Sequence, residues 1–304
     1  MISSSLSSLR ERFLAPGLTI GPYGGNGPLA LHLSGDRGRG TVLLQGGQLW
    51  SWQPAGQPDL LWQSSVAAPV PSVCPYGGIP ICWPYMGSGP QAGDPFHGAV
   101  RCHDWDLLAA EDDGQGGWRI RLATDHRAAG WRQPFALVLT LRLGDGIEAS
   151  LEVINRSDED LVSAGALHSY LAIGDRRQLT LHHLRGLDYR STLEGPVQVD
   201  DGSPLPPEDE WVRNYLLPNT GHTVLIDDPV LDRRLHLGLP TSTSLVLWNP
   251  GPRRAAAIAG IGSESWPGFV CLEAANILHD RRLLAPGHGH VLATTICSTP
   301  CNRS

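Results

Sequence analysis

Residues Phe135 to Ile154 constrain the fold more tightly than any other stretch. Phe135, Leu137, Leu139, Leu141 and Leu143 alternate with smaller or polar residues, Gly144-Asp145-Gly146 turns, and a second alternating run returns from Ile147 to Ile154. A period of two puts successive side chains on opposite faces, so the segment reads as an antiparallel hairpin with one apolar face. Trp118–Thr124 repeats the pattern, with Trp118, Ile120 and Leu122 against Arg119 and Arg121. Thr41–Trp52 reads as two strands about a Gly46-Gly47 bend, and strand is expected at Trp105–Leu108. Further extended pieces fall at Leu161–Ile173, Leu179–Tyr189, Thr192–Val199, Thr223–Asp227, Arg234–Leu239, Ser244–Trp248, Ala255–Ile258, Phe269–Ala274 and His290–Cys297. No run of a dozen residues carries a 3.6-residue period, and no unit repeats at fixed spacing. The expectation is an all-β chain of about twenty antiparallel strands in one large two-sheet body. That body should span residues 16–299, after a short helix or tail at 1–15 and before a tail at 300–304.

Composition narrows the function. The 36 Gly and 25 Pro are spread along the chain, as short strands joined by tight turns require. Thirty acidic against 23 basic residues give a net charge of −7, which argues against a nucleic-acid surface. No apolar run is long enough to span a membrane, and the N-terminus lacks the apolar core of a secretory signal, so a cytoplasmic protein is expected. The six cysteines contain no C-x-x-C pair and read as reduced thiols, with a Cys297–Cys301 disulfide left open. His182-His183 and His288-Gly289-His290 raise the question of metal, but no further ligand is spaced to complete a set, and no metal is expected. Asn155-Arg156-Ser157 and Asn302-Arg303-Ser304 match the glycosylation pattern, which carries no meaning in a cytosolic chain.

The candidate site lies in irregular sequence. Tyr76-Gly77-Gly78-Ile79-Pro80-Ile81-Cys82-Trp83-Pro84 reads as a shaped loop with a short extended insert. His97 and Arg101 follow, four residues apart and flanked by Trp83 and Trp105. Cationic donors beside aromatic faces suit an anionic or polyhydroxylated ligand, although a structural loop with a solvated Arg gives the same pattern. His168 sits among small and apolar strand residues, where an imidazole can work as acid or base or can be a satisfied core group. Glu273 ends an apolar strand, where a carboxylate either reaches solvent or is held in a pocket. Trp248, before Asn249-Pro250-Gly251, offers a flat wall for a sugar or a packed indole.

Taken in order, four segments resemble the hexose-6-phosphate mutarotases (glucose-6-phosphate 1-epimerases), a branch of the aldose 1-epimerase superfamily. They are Gly77–Pro84 with Gly87; His97-Gly98-Ala99-Val100-Arg101 with Asp104-Trp105; Ala166–Leu171 with Ile173-Gly174-Asp175; and Val246–Gly251 leading to Phe269–Glu273. The resemblance implies a galactose mutarotase-like β-supersandwich with few short helices. It implies interconversion of the α and β anomers of an aldohexose 6-phosphate without metal or cofactor, by a monomer whose partner is a small sugar or sugar phosphate. It implies Glu273 as general base and His168 as general acid, with His97 and Arg101 in the pocket and Arg101 on the phosphate. Where phosphate-binding members have Arg, this chain has Tyr76, a single neutral donor, so a 6-phosphate preference is less secure than the anomer chemistry. An acidic residue before Asn214-Tyr215 is expected at the site, and Asp209 and Glu210 both qualify. Glu273 is expected ionised and His168 protonated at the start of turnover. A non-catalytic sugar-binding or regulatory sandwich and a mutarotase of unphosphorylated sugars are the alternatives. A glycoside hydrolase would want two facing carboxylates, whereas these motifs supply one Glu and one His.

Overall fold

The computed structural model of the chain describes residues 6–301; expectations for residues 1–5 and 302–304, including the Asn302 glycosylation match, lie outside the described residues. Twenty-two strands and two short α-helices, Leu6–Arg12 and Gly251–Ala257, are present among them. Two eight-stranded sheets dominate, and every strand pair in them is antiparallel.

One sheet is built from long strands: 180–182, 222–228, 233–239, 289–300, 146–155, 135–143, 118–125 and 106–112, in that spatial order. Alternation makes it. Phe135–Leu143 pairs Leu143 with Ile147 across the Gly144-Asp145 turn, and burial alternates along both strands. Leu137, Leu139, Leu141, Ala149, Leu151 and Val153 point inward, while Arg142, Glu148 and Glu152 face solvent.

The second sheet carries the site. Its order is 198–199, 188–190, 211–216, 244–249, 269–275, 166–167, 81–82, with 170–172 also paired to 269–275. Leu245, Leu247, Val270, Leu272 and Ala274 meet the long-strand sheet in the main core. At roughly 25 cal/mol per Å² of apolar area, that dry interface is the main stabilising term. A four-stranded sheet, 18–22 through 48–54, and a ribbon of 161–163 with 282–284 complete the β structure.

Several local expectations change. Ala255–Ile258 is not a strand: Gly251–Ala257 is helical, with Pro252 in its first turn, where a missing amide donor is harmless. Leu161–Ile173 is three short strands, because the chain changes partner twice. Ala164 donates to the Pro84 carbonyl and His168 to that of Pro80, which interrupts the ladder. Strands Leu18–Pro22 and Trp211–Leu216 add to those expected.

The cysteine expectation is corrected too. Cys74 and Cys102, 28 residues apart, form a disulfide with Cα atoms 5.3 Å apart, whereas Cys297 and Cys301 are unpaired. Gln45 explains the pairing. Its amide nitrogen donates to the carbonyls of Val70 and Val73, its carbonyl accepts from Ser72, and its backbone bridges to Asp104. The two cysteine-bearing loops are thus gathered on one residue. Cys82 and Cys271 remain buried free thiols.

Candidate active site

The strand Phe269–Ala275 is buried on both faces. On the face away from the core, Phe269 and Cys271 join Tyr170, Ala255, Ile261 and Trp266, and Ala275 joins Cys82, Ala166, Val246 and Ile277. Glu273 lies between these two apolar clusters, fully buried, opposite Val246 in the register.

His168 reaches it from the neighbouring chain segment. The backbone of His168 donates to Pro80 and that of Tyr170 to Gly78, so the Gly-Gly-Ile-Pro loop anchors this stretch directly. His168 lies in the break between strands 166–167 and 170–172, where the Ser169 amide donates to the Leu167 carbonyl, and its ring stacks on Tyr170 with centroids 4.8 Å apart and planes 9° apart. His168 Nε2 then lies 3.3 Å from Glu273 Oε1. The pair is in contact but not aligned as a hydrogen bond; both Glu273 oxygens, and the other ring nitrogen of His168, Nδ1, are buried without a hydrogen-bond partner.

His97 approaches at right angles, 5.6 Å from His168 centroid to centroid. Its placement depends on close backbone approach. Gly98, at φ +90°, bridges to Trp83, where a Cβ would stand 2.0 Å from the Trp83 carbonyl oxygen. Its neighbour His97 is held at φ +66°. The His97 Nδ1 accepts from the Gly87 amide, so the neutral ring carries its proton on Nε2. Burial, helped by the Arg101 charge, lowers the His97 pKa to about 3, which keeps that tautomer at ordinary pH.

Arg101 is half-buried, and its Nε has no hydrogen-bond partner. Its charge acts on Glu273, His168 and His97. Desolvation is nonetheless the largest influence on both members of the central pair. It raises Glu273 well above the ordinary carboxylate range, against the pull of Arg101, and it lowers His168 well below the usual imidazole value, with His97 and Arg101 adding to the shift. The expected resting state, ionised Glu273 with protonated His168, is therefore reversed in this structure: burial favours two neutral groups. The two descriptions contain the same single proton on opposite sides of a 3.3 Å contact.

Trp248 forms the aromatic wall, perpendicular to His168 at 6.1 Å. Its indole donates to Glu210, which also contacts Arg254 at 3.3 Å. Of the two acidic candidates, Glu210 is the one that reaches Trp248, while Asp209 accepts from Arg176 only through its carbonyl. Tyr76 packs with Trp62, Trp248 and Ile258, against Gly260, where a Cβ would meet its ring at 2.4 Å. The remaining histidines of interest are engaged elsewhere: His182 with Asp227, His183 with the Thr223 carbonyl, His290 with Ser163, His288 with the Pro286 carbonyl. Among the described residues no group of three His, Cys, Asp or Glu could hold a metal ion.

Sequence reasoning gave no role to Tyr170, although an aromatic residue two positions from His168 was a usable signal. It also gave none to Asn249, whose amide donates to Trp266 and Phe269 carbonyls and fixes the end of the Trp248 strand.

A β-supersandwich with a carboxyl and an imidazole facing each other on one sheet defines the class as mutarotase-like. The chain belongs to the aldose 1-epimerase family, whose profile matches residues 30–297, and it is an enzyme of the epimerase/mutarotase type. It is 30% identical, over 78% of its length and 79% of the relative's, to a "Putative glucose-6-phosphate 1-epimerase" of Escherichia coli strain K12. A protein of the same name from Cenchrus ciliaris is 25% identical over 86% of this chain and 82% of the relative. The crystal structure of a "putative mutarotase" from Salmonella typhimurium superposes with TM-score 0.84 at 26% identity, covering 94% of this chain and 95% of that one. A galactose mutarotase-like protein of Clostridium acetobutylicum, at 12% identity and TM-score 0.71, shares the fold; the match covers 93% of this chain and 98% of that one.

Proposed function

We propose that the protein interconverts the α and β anomers of an aldohexose 6-phosphate by ring opening, with Glu273 and His168 as the proton-transfer pair. The observation that carries this reading is the convergence of buried polar atoms without partners. Both Glu273 oxygens, His168 Nδ1 and Arg101 Nε are desolvated and unsatisfied. Each such group costs about 1–3 kcal/mol, and a polyol offers hydroxyls to satisfy all of them.

In the assignment carried by the family motifs, Glu273 takes the proton of the C1 hydroxyl while His168 gives one to the ring oxygen. The C1–O5 bond breaks as the C1=O1 bond forms, the C1–C2 bond rotates in the open aldehyde, and closure on the other face reverses both transfers. This direction needs the pair's single proton on His168. Arg101 already favours ionised Glu273. Sugar hydroxyls donating to the two carboxylate oxygens push the same way, because a hydrogen bond to the charged form lowers a carboxyl pKa. His97 Nε2–H and the Trp248 face orient the ring, Arg101 holds the phosphate, and Glu210 fixes Trp248.

Tyr76 favours a second reading, an enzyme that acts on unphosphorylated hexose. With Arg101 as the charged donor and Tyr76 a neutral phenol, the phosphate clamp is weaker than one built on two guanidinium groups. A coupled-dehydrogenase assay with α-glucose 6-phosphate and α-glucose separates the two. The first reading expects Arg101→Ala to raise KM for glucose 6-phosphate about tenfold or more, corresponding to one lost charge-assisted hydrogen bond, with little change for glucose. Equal effects on both sugars would remove the phosphate role and support the second reading.

A further inference from the structure

The disulfide Cys74–Cys102 joins the two arms of the candidate site. Cys74 lies two residues before Tyr76, and Cys102 directly follows Arg101. Neither arm is in regular secondary structure at these positions. Arg101 makes no hydrogen bond through its buried Nε, so the course of its backbone carries much of the aim of its guanidinium. Before Arg101, Ala99 donates to the Trp83 carbonyl and the Trp105 indole donates to the Val100 carbonyl, and at and after Arg101 there are two further supports. One is the Gln45–Gly46 corner: Gly46, at φ +70°, donates to His103, and its missing Cβ leaves room for the Arg101 carbonyl, which would otherwise stand 2.5 Å away. The other is the disulfide, whose Cys102 is exposed and Cys74 half-buried. A soluble reductant can therefore reach the bond without unfolding the core.

We propose that Cys74 and Cys102 are positioning residues for the sugar site and that their redox state tunes substrate capture; this rests on the sugar-binding role given to Arg101 above. Closed, the bond fixes Arg101 relative to the Tyr76 arm. A dithiol opens it by thiolate attack on one sulfur: the S–S bond breaks, a mixed disulfide forms, and the second thiol of the reductant displaces it. Two electrons and two protons pass to the protein, which gains two thiols, and the dithiol becomes a cyclic disulfide. The Arg101 arm then depends on the Gln45–Gly46 corner and on the backbone before it, where Ala99 donates to Trp83 and the Trp105 indole to Val100. Glu273 stands on a paired strand, and His168, between two short strands, is anchored to Pro80 and its neighbour Tyr170 to Gly78, beyond this link, so the pair keeps its geometry.

The test compares oxidised wild type, dithiothreitol-treated wild type and the double variant Cys74→Ser/Cys102→Ser, each assayed with glucose 6-phosphate and glucose. Opening the bond is expected to raise KM for glucose 6-phosphate about tenfold, with kcat within about twofold and a smaller KM change for glucose. The double variant should match the reduced enzyme and ignore further reductant. Rapid alkylation of unfolded, unreduced protein should count four thiols, not six. Six thiols, or a KM for glucose 6-phosphate unchanged on reduction, overturns the proposal. So does an equal loss on both sugars that tracks a lower melting temperature, since that is a purely structural effect. If the double variant does not fold, the reductant comparison on wild type decides alone. Should oxidised enzyme turn over neither sugar, the proposed activity fails by itself; the disulfide is then judged by the Kd of glucose 6-phosphate in calorimetry, where no change on reduction overturns its role.

Discussion

On one face of the strand Phe269–Ala275, Val270, Leu272 and Ala274 disappear into the main core; on the other, Glu273 interrupts a line of Phe269, Cys271 and Ala275. Both faces are fully buried, so burial does not distinguish them. Polar satisfaction does. The core face leaves nothing polar unpaired, whereas the site face holds a carboxyl group with two unpartnered oxygens beside an imidazole with one unpartnered nitrogen. A period of two lets a single strand serve stability and chemistry at once, with a one-residue shift in position deciding which. The lesson is that the site face costs stability wherever it carries function.

Three experiments break or sharpen that contrast. The largest effect is expected from Glu273→Gln, which keeps shape and removes the titrating group. It should lower kcat by on the order of 10²–10⁴-fold. The same variant should raise the melting temperature. Burial pushes the Glu273 pKa up, so the contribution of this group to stability is complete below its ordinary value of 4.5 and is lost as pH rises toward the folded value. The gain of the Gln variant should therefore grow with pH, to about 1–2 kcal/mol near neutrality. A variant with unchanged kcat removes Glu273 from the chemistry.

Leu272→Ala, one position away on the opposite face, should do the reverse. Loss of a buried leucine costs about 2–5 kcal/mol of stability. The folded fraction should keep KM and kcat, and chemical denaturation beside kinetics would show the division. A fall in kcat as large as that of Glu273→Gln would mean the two faces are not separable.

The smallest effect is in the pH profile. His168 is lowered below 6.5 and Glu273 is raised above 4.5, so the pair holds its one proton across the neutral range. The acid limb of kcat/KM comes where His168 takes a second proton, and the alkaline limb where Glu273 loses its own. A flat profile near neutrality is expected. A limb centred at 6.5 that vanishes in His168→Gln would show that burial does not control the imidazole.

The two regions also differ in how far sequence exposes them. The hairpin from Phe135 to Asn155 was legible because both of its strands alternate and its turn is marked by glycine. The helix Gly251–Ala257 was not, because seven residues hold fewer than two turns and no period can be counted. Asp209 and Glu210 could not be told apart, whereas the residues His168, Glu273, His97, Arg101 and Trp248 could be picked out one by one. Their meeting could not, because it depends on Tyr170 pairing with Cys271 and on His168 donating to Pro80, contacts between distant segments. The pull of burial on the charge state is hidden for the same reason. An ion pair is the natural guess for Glu with His, but a desolvated one is expensive, and desolvation is a property of the packed molecule. The Cys74–Cys102 bond was hidden likewise, because Gln45 brings those loops together from a third place in the chain.

The carboxyl of Glu273 rides on a strand hydrogen-bonded on both sides, whereas Arg101 projects from irregular backbone. Amide deuterium exchange through Cys271–Ala274 must await rare, near-global opening, while the Arg101 arm exchanges through small local fluctuations. On warming, the protein should therefore loosen its hold on the sugar well before it forgets how to move a proton.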